Sequence, residues 1–247
     1  MALPGVYKEF NDRWCKQTVW IYSDPHFADE ELAAGVPGRP SADEQVKMIN
    51  SCAGRQDTLI ILGDVGDVEY VRKLRAAHKI LICGNHDAGS TNYQREIVQK
   101  IFDKDKVSRD EVRAIMEAEY PGWSIRIVED YAFHSPFMRW VAYADNRLFD
   151  EVYEGGLIIG EKLILTHEPV EIPWLFNIHG HDHAGAVRKG HLNVCSDVIG
   201  YKPVNLNAFL KSGPMAHIQS IHRITIDKAT EKKMKRGGKK VGVGRNC

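Results

Sequence analysis

Five short apolar runs, each closing on a polar cluster, constrain this chain more than any other feature. They are "TVWIYSD" (Thr18 to Asp24), "TLIILGD" (Thr58 to Asp64), "KILICGNHD" (Lys79 to Asp87), "KLILTHEP" (Lys162 to Pro169) and "WLFNIHGHDH" (Trp174 to His183). Short runs rich in Ile, Leu and Val bounded by turn residues read as buried strands rather than helices. Helical patterns lie between the early runs. Ser41-Ala42-Asp43-Glu44 is a capping box ahead of "QVKMINSCA", "DVEYVRKLRAA" is apolar at Val68, Val71 and Leu74, and Ser108-Arg109-Asp110-Glu111 opens "EVRAIMEAEY". The first half therefore alternates strand and helix, which predicts a parallel sheet with helical crossovers. From Ser124 to about Ile226 the pattern is mostly strands: "SIRIVED", "FMRWVAYA", "GLIIG", "KLILT", "LFNIH", "HLNVC" and "IQSIHRITI". This predicts a second sheet with more antiparallel character.

The expected organisation is an α/β domain over residues 1–227 with a helical excursion at about 88–123. Residues 228–247 form a basic, flexible tail with eight Lys or Arg against one Glu. A chain of 247 residues can bury a substantial core. Zero formal net charge gives no global field toward nucleic acid or membrane, so only the tail offers a nucleic-acid contact. No run approaches the roughly 20 apolar residues of a membrane span. The five cysteines are odd in number and widely spaced, which predicts free thiols in a reducing, cytoplasmic setting.

Active groups in sheets with parallel strands gather at the carboxyl ends of those strands. Here the ends carry Asp24 and His26, then Asp64, then Asn85 and His86, then His167, then His181 and His183. Any one of these could be a turn residue or a hydrogen-bonded surface group. Five in succession at one predicted edge point to a site. Carboxylate, amide carbonyl and neutral imidazole suit Mn, Fe, Ni or Zn, and no thiolate is among them. The set is too large for one tetrahedral ion but fits two ions roughly 3.5–4 Å apart. Structural zinc, which favours a closed four-ligand set, is disfavoured. Residues at i and i+2 of an extended segment point the same way, which pairs Asp24 with His26 and His181 with His183.

The blocks Asp24-Pro25-His26, Gly63-Asp64-Val65-Gly66-Asp67, Gly84-Asn85-His86-Asp87, His167 and Gly180-His181-Asp182-His183 follow one another in order. This series resembles the calcineurin-like metallophosphoesterases, and "LNVCSDVIGYKPVNL" (Leu192 to Leu206) is similar to the closing segment of their small bacterial and phage members. The resemblance implies a four-layer α/β/β/α sandwich of two mixed sheets flanked by helices. It implies that Asp24, His26 and His183 hold one divalent ion, that Asn85, His167 and His181 hold another, and that Asp64 bridges them, with Mn2+ the first choice and Fe, Ni or Zn alternatives. It implies a phosphoric ester hydrolase in which hydroxide shared by the ions attacks phosphorus in line. His86 would be the general acid, oriented by Asp87, and Asp67 an outer hydrogen-bond partner.

The substrate class stays open between a phosphomonoester or phosphodiester and, with help from the tail, a nucleic acid or cyclic nucleotide. A non-catalytic metal-binding scaffold is a further reading, against which the complete ligand series speaks. The H-x-H-x-D-H spacing of metallo-β-lactamase-type hydrolases is not met. The loop "FADEELAAGVPGRPS" and the 88–123 segment depart from a minimal member and are expected near the mouth of the site. Arg39 is read as a surface residue before a phosphate clamp. His134, His179 and His191 are expected to be structural.

Overall fold

The computed structural model describes residues 18–87, 96–130, 138–219 and 221–237. Two compact units divide the chain: Met1–Ala88 with Glu151–Cys247, and Gly89–Asp150. It is a mixed α/β fold with three sheets.

In the first unit all five apolar runs are strands. Strands β1 (Val19–Tyr22), β2 (Thr58–Ile61) and β3 (His78–Ile82) pair in parallel, with Ile21 opposite Ile60 and Ile60 opposite Ile80. A short helix α1 (Glu30–Gly35) and helix α2 (Ala42–Cys52) make the first crossover. The predicted capping box is present at Ser41, whose hydroxyl accepts from the Glu44 amide while the Glu44 carboxylate accepts from the Ser41 amide. Ala42, Gln45, Val46 and Ile49 are the buried face of α2, and the Tyr22 hydroxyl meets Gln45 Oε1 at 3.4 Å. The second crossover departs from expectation. Only a 3-10 helix, Val68–Lys73, forms. Asn50 ends it from outside, donating to the Lys73 carbonyl and accepting from the Arg75 amide, so the chain leaves helical geometry before Leu74.

After the second unit the chain re-enters as β7 (Glu151–Tyr153), parallel to β3. Then β8 (Leu157–Ile159), β9 (Leu163–Leu165), β10 (Phe176–His179) and β11 (His191–Asn193) build a second sheet in the order β11-β10-β9-β8. The expected antiparallel character is confined there to the β8–β9 hairpin, since β9, β10 and β11 run parallel. Strand β12 (Val204–Asn205) closes the first sheet antiparallel to β1 and leads into helix α4 (Leu206–Lys211). The two sheets share one core: Ile21, Ile60, Ile80 and Ile82 from the first, with Leu163, Leu165, Phe176 and Ile178 from the second. Parallel strands in both sheets carry their polar ends to one edge of this core.

The second unit corrects the helical excursion expected at 88–123. It holds strand β4 (Ile97–Asp103), helix α3 (Arg109–Glu119) and strands β5 (Ser124–Asp130) and β6 (Arg139–Asp145). The sheet is antiparallel in the order β4-β6-β5. Val112 and Met116 of α3 pack on Ala142, Ala144 and Ile127, a core of its own. "SIRIVED" and "FMRWVAYA" are strands, but they belong here and not to the second sheet.

The segment "IQSIHRITI" is the remaining correction. From Ile221 to Gly237 the backbone is helix α5, so the helix runs well into the expected flexible tail. β-branched residues suggested a strand, yet Ile221 and Ile226 are exposed and, among the described residues, no strand pairs with this segment. Residues 238–247 lie outside the described residues. Among the described residues no helix is long and apolar enough to cross a membrane.

Candidate metal centre

The edge where the parallel strands end carries the expected side chains. Asp24 and His26 follow β1, Asp64 follows β2, Asn85 and His86 follow β3, His167 follows β9, and His181 and His183 follow β10. They converge in two groups. Asp24, His26 and His183 offer one set of donor atoms and Asp64, His167 and His181 another. Asn85 Oδ1 completes the second, 2.9 Å from His167 Nε2 and 3.2 Å from His181 Nδ1. Asp64 Oδ2 stands between the groups, 3.5 Å from His26 Nε2 and 3.3 Å from His167 Nε2.

Three glycines allow this approach, and each immediately precedes a ligand. A Cβ on Gly180 would stand 1.9 Å from Ser23 Oγ and 2.2 Å from Asp24 Oδ2, and one on Gly84 would stand 2.3 Å from Asp64 Oδ1. Gly63, at φ +84°, would meet the Gly84 amide at 2.4 Å. The G-D, G-N-H and G-H-x-H spacings are thus packing requirements in their own right. Four ligands are themselves in the left-handed region: Asp24 at φ 55°, His26 at 41°, Asp64 at 52° and His181 at 63°. Each such residue costs on the order of 1–3 kcal/mol and persists only where surrounding structure enforces it. These turns, rather than strand alternation, aim the side chains.

The imidazoles are oriented by acceptors on their far side. His167 Nδ1 donates to the Leu62 carbonyl at 2.7 Å, His183 Nδ1 to Asp197 Oδ2 at 2.6 Å, and His26 Nδ1 faces Asp29 Oδ2 at 3.2 Å. Because carbonyls and carboxylates only accept, Nδ1 carries a proton and Nε2 faces the site, with its lone pair free once the ring is neutral.

The residues fit divalent metal. Asp24 is fully buried, and its Oδ1 has no hydrogen-bond partner, an expensive state for a carboxylate unless a cation fills it. Burial alone would lower the His167 pKa, but the hydrogen bond to Asp64 and the Asp24 charge outweigh it and push it up to about 9. The site thus draws positive charge. At His26 burial prevails over Asp64 and Asp24 and holds the pKa below its usual value, which favours the neutral, metal-binding form.

His86 lines the cleft with its side chain 68% exposed and Nε2 4.0 Å from Asp64 Oδ2. Asp87 has a structural role that the sequence did not suggest. Its carboxylate is 4% exposed and accepts from the backbone amides of Asp64 (2.7 Å), Gly84 (2.9 Å) and Val65 (3.2 Å). It ties the β2 and β3 loops together. Asp67 is exposed and caps the 3-10 helix through the Glu69 amide. Arg39 is neither a surface residue nor a phosphate clamp: its side chain is 1% exposed and paired with Asp197. His179 and Asp182 are outside the ligand groups. His179 is buried against His191, and the Asp182 carboxylate accepts from the Ala184 and Ala186 amides. His134 lies outside the described residues.

A cleft of about 540 Å³ opens over the ligands, walled by Glu31, Leu32 and Val36 of the α1 region, so the departing loop does border the site. A larger hollow of about 630 Å³ lies at the amino ends of β10 and β11, beside Glu171, Lys189 and His191, and among the described residues it gathers no such ligand group.

Sequence reasoning missed Asp197, which orients His183. The signal was available, because Ser196-Asp197 is a further polar cluster just beyond a short strand, β11.

No protein-family model matches the chain, and no curated protein does. A solved structure, that of a protein of unknown function, AQ665, from Aquifex aeolicus, is similar with a TM-score of 0.47 at 19% identity, over 80% of this chain and 100% of that one.

Proposed function

We propose that this chain is a metal-dependent phosphoric ester hydrolase of the calcineurin-like type, built as the four-layer sandwich of that superfamily. The observation that carries the reading is the convergence of seven side chains from five strand ends into two ligand groups with Asp64 between them, and with Asp24 Oδ1 buried and without a hydrogen-bond partner. Divalent ions bound there would supply Lewis acidity, neutralising phosphoryl charge and lowering the pKa of water. The protein does the rest. Asp24, His26 and His183 hold one position, Asn85, His167 and His181 the other, and Asp64 faces both. His86, in the cleft and solvent-accessible, delivers a proton to the leaving oxygen.

The cleft offers a small ester a better fit than a polyanion. Among its described lining residues the charged groups beside the ligands are Asp29 and Glu31, with no Lys or Arg. A nucleic-acid reading is favoured only by α5, whose Arg223, Lys228, Lys232, Lys233 and Lys235 lie on an exposed helix.

Purified protein loaded with Mn2+ is expected to hydrolyse p-nitrophenyl phosphate or its bis-ester. His86→Ala should reduce turnover by about 10²–10⁴-fold, and Asp64→Ala should abolish it. Absence of turnover on either ester with two metal equivalents bound refutes the assignment. Removing residues 228–247 tests the second reading, which requires a shallower salt dependence of nucleic-acid binding.

A further inference from the structure

One buried arginine–carboxylate pair beside the candidate centre contains no predicted ligand. Arg39 Nη1 donates to both oxygens of Asp197, at 2.7 and 2.5 Å, and Nη2 donates to the backbone carbonyls of Asp24 (3.1 Å) and Pro25 (2.8 Å). Asp197 also receives His183 Nδ1 at 2.6 Å and the Tyr201 hydroxyl. One guanidinium therefore pins the loop carrying Asp24 and His26 to the carboxylate that orients His183. Those ligands come from different sheets. Ser196 adds to the same seam: its amide donates to the Ser23 carbonyl at 3.0 Å and its hydroxyl to the Asp24 carbonyl at 2.7 Å.

The second ligand group is held differently. His167 is oriented by the Leu62 carbonyl, and Asp64 by the His86 amide at 3.0 Å. Among the described residues no hydrogen bond joins Asp64, Asn85, His167 or His181 to Arg39 or Asp197.

We propose that Asp197, held in place by Arg39, is the positioning residue that sets metal affinity at the Asp24–His26–His183 position while leaving the Asp64–Asn85–His167–His181 position nearly unaffected. This rests on the two-metal reading above. The physical cause is preorganisation. An ionised Asp197 keeps the proton on His183 Nδ1 and presents Nε2 to the site, and removing such a partner typically costs about 10–100-fold in metal affinity. Arg39 forbids a different use of the same residues. Cys195 Sγ lies 3.4 Å from His183 Nδ1, and His183, Cys195 and Asp197 could in isolation hold an ion. A cation there would face a buried guanidinium that already occupies both carboxylate oxygens.

The test is Mn2+ titration of the full chain by calorimetry, with metal content measured after gel filtration. Wild type is expected to bind two equivalents. Asp197→Asn should retain one at near wild-type affinity and weaken the other by about 10–100-fold. Tyr201→Phe, which keeps the Arg39 and His183 contacts, should retain both. His181→Ala should weaken the opposite position. In metal-free wild type the His183 Nδ1 proton should give a slowly exchanging, downfield imidazole resonance, a readout that does not depend on any variant folding. Two unaltered equivalents in Asp197→Asn, equal weakening of both, or a rapidly exchanging His183 proton overturns the inference alone. A wild type that binds no Mn2+ overturns the two-metal reading and this inference with it.

Discussion

Truncating Asp87 to Ala separates two roles for a residue that the sequence placed beside the proton donor. Three buried backbone amides, those of Asp64, Val65 and Gly84, end on its carboxylate. Leaving one buried donor unsatisfied costs about 1–3 kcal/mol. Water entering the vacated volume recovers part of this, so the sum is expected at about 3–5 kcal/mol rather than the arithmetic maximum. Domains are stable by about 5–15 kcal/mol, so this is a fifth or more of the total. Asp87→Asn keeps one accepting oxygen but turns an NH2 toward an amide donor, and about 2 kcal/mol is expected. The assay is urea unfolding in EDTA followed by circular dichroism, with amide hydrogen exchange at Asp64, Val65 and Gly84. A 3 kcal/mol loss accelerates exchange there by roughly 10²-fold, since about 1.4 kcal/mol is a factor of ten. Mn2+ affinity should fall too, because Asp64 and Asn85 sit on the loops that come loose. The reasoning is refuted if Asp87→Ala keeps its unfolding midpoint and exchange rates and loses only turnover, for then the carboxylate acts through His86.

Three further outcomes are expected. Gly180→Ala drives a methyl onto Ser23 Oγ and Asp24 Oδ2, both fixed by hydrogen bonds to the Leu62 carbonyl and the His181 amide. A loss of about 3 kcal/mol follows, with weakened Mn2+ binding, and unchanged stability and affinity would contradict the packing argument. Metal-free His167, with its pKa raised to about 9, is protonated at pH 7.5, so Mn2+ binding must expel a proton. Calorimetric enthalpy at pH 7.5 should then vary with buffer ionisation enthalpy and lose that dependence above pH 9, and a buffer-independent enthalpy at pH 7.5 would count against it. His191 is the reverse case. Burial lowers its pKa from 6.5, and Nδ1 has no partner. The unfolded chain therefore binds the proton more readily, and stability is lost as pH falls below about 6.5. His191→Phe should lose less stability than wild type between pH 7.5 and 5.5, and parallel curves would refute it.

Much of the site was legible because ligand chemistry is local in sequence. Each block pairs a strand end with one or two donors, and parallel pairing must bring such ends to one edge. His181 stands with Asp64 and His167 and His183 with Asp24 and His26, whereas strand alternation pairs the two histidines with each other. Asp24, His26, Asp64 and His181 are turned by left-handed backbone, which no residue type among them announces. Arg39 was misread because its partner lies 158 positions away. An arginine on a polar loop looks solvated until the chain closes over it. The second unit was misread for a similar reason: "EIVQKIFD" pairs only with a strand some forty residues on, and nothing local told it from a helix.

The sequence by itself determined the five buried strands, their parallel order in the first sheet, both capping boxes and which polar side chains stand at the strand ends. These depend on period, turn chemistry and short-range hydrogen bonds. Tertiary structure alone decided that β5 and β6 leave the second sheet, that Asp87 clamps amides and that Asp197 and Arg39 stand behind one ligand group. Such contacts join residues far apart in the chain, and their geometry exists only once both sheets have packed on a common core.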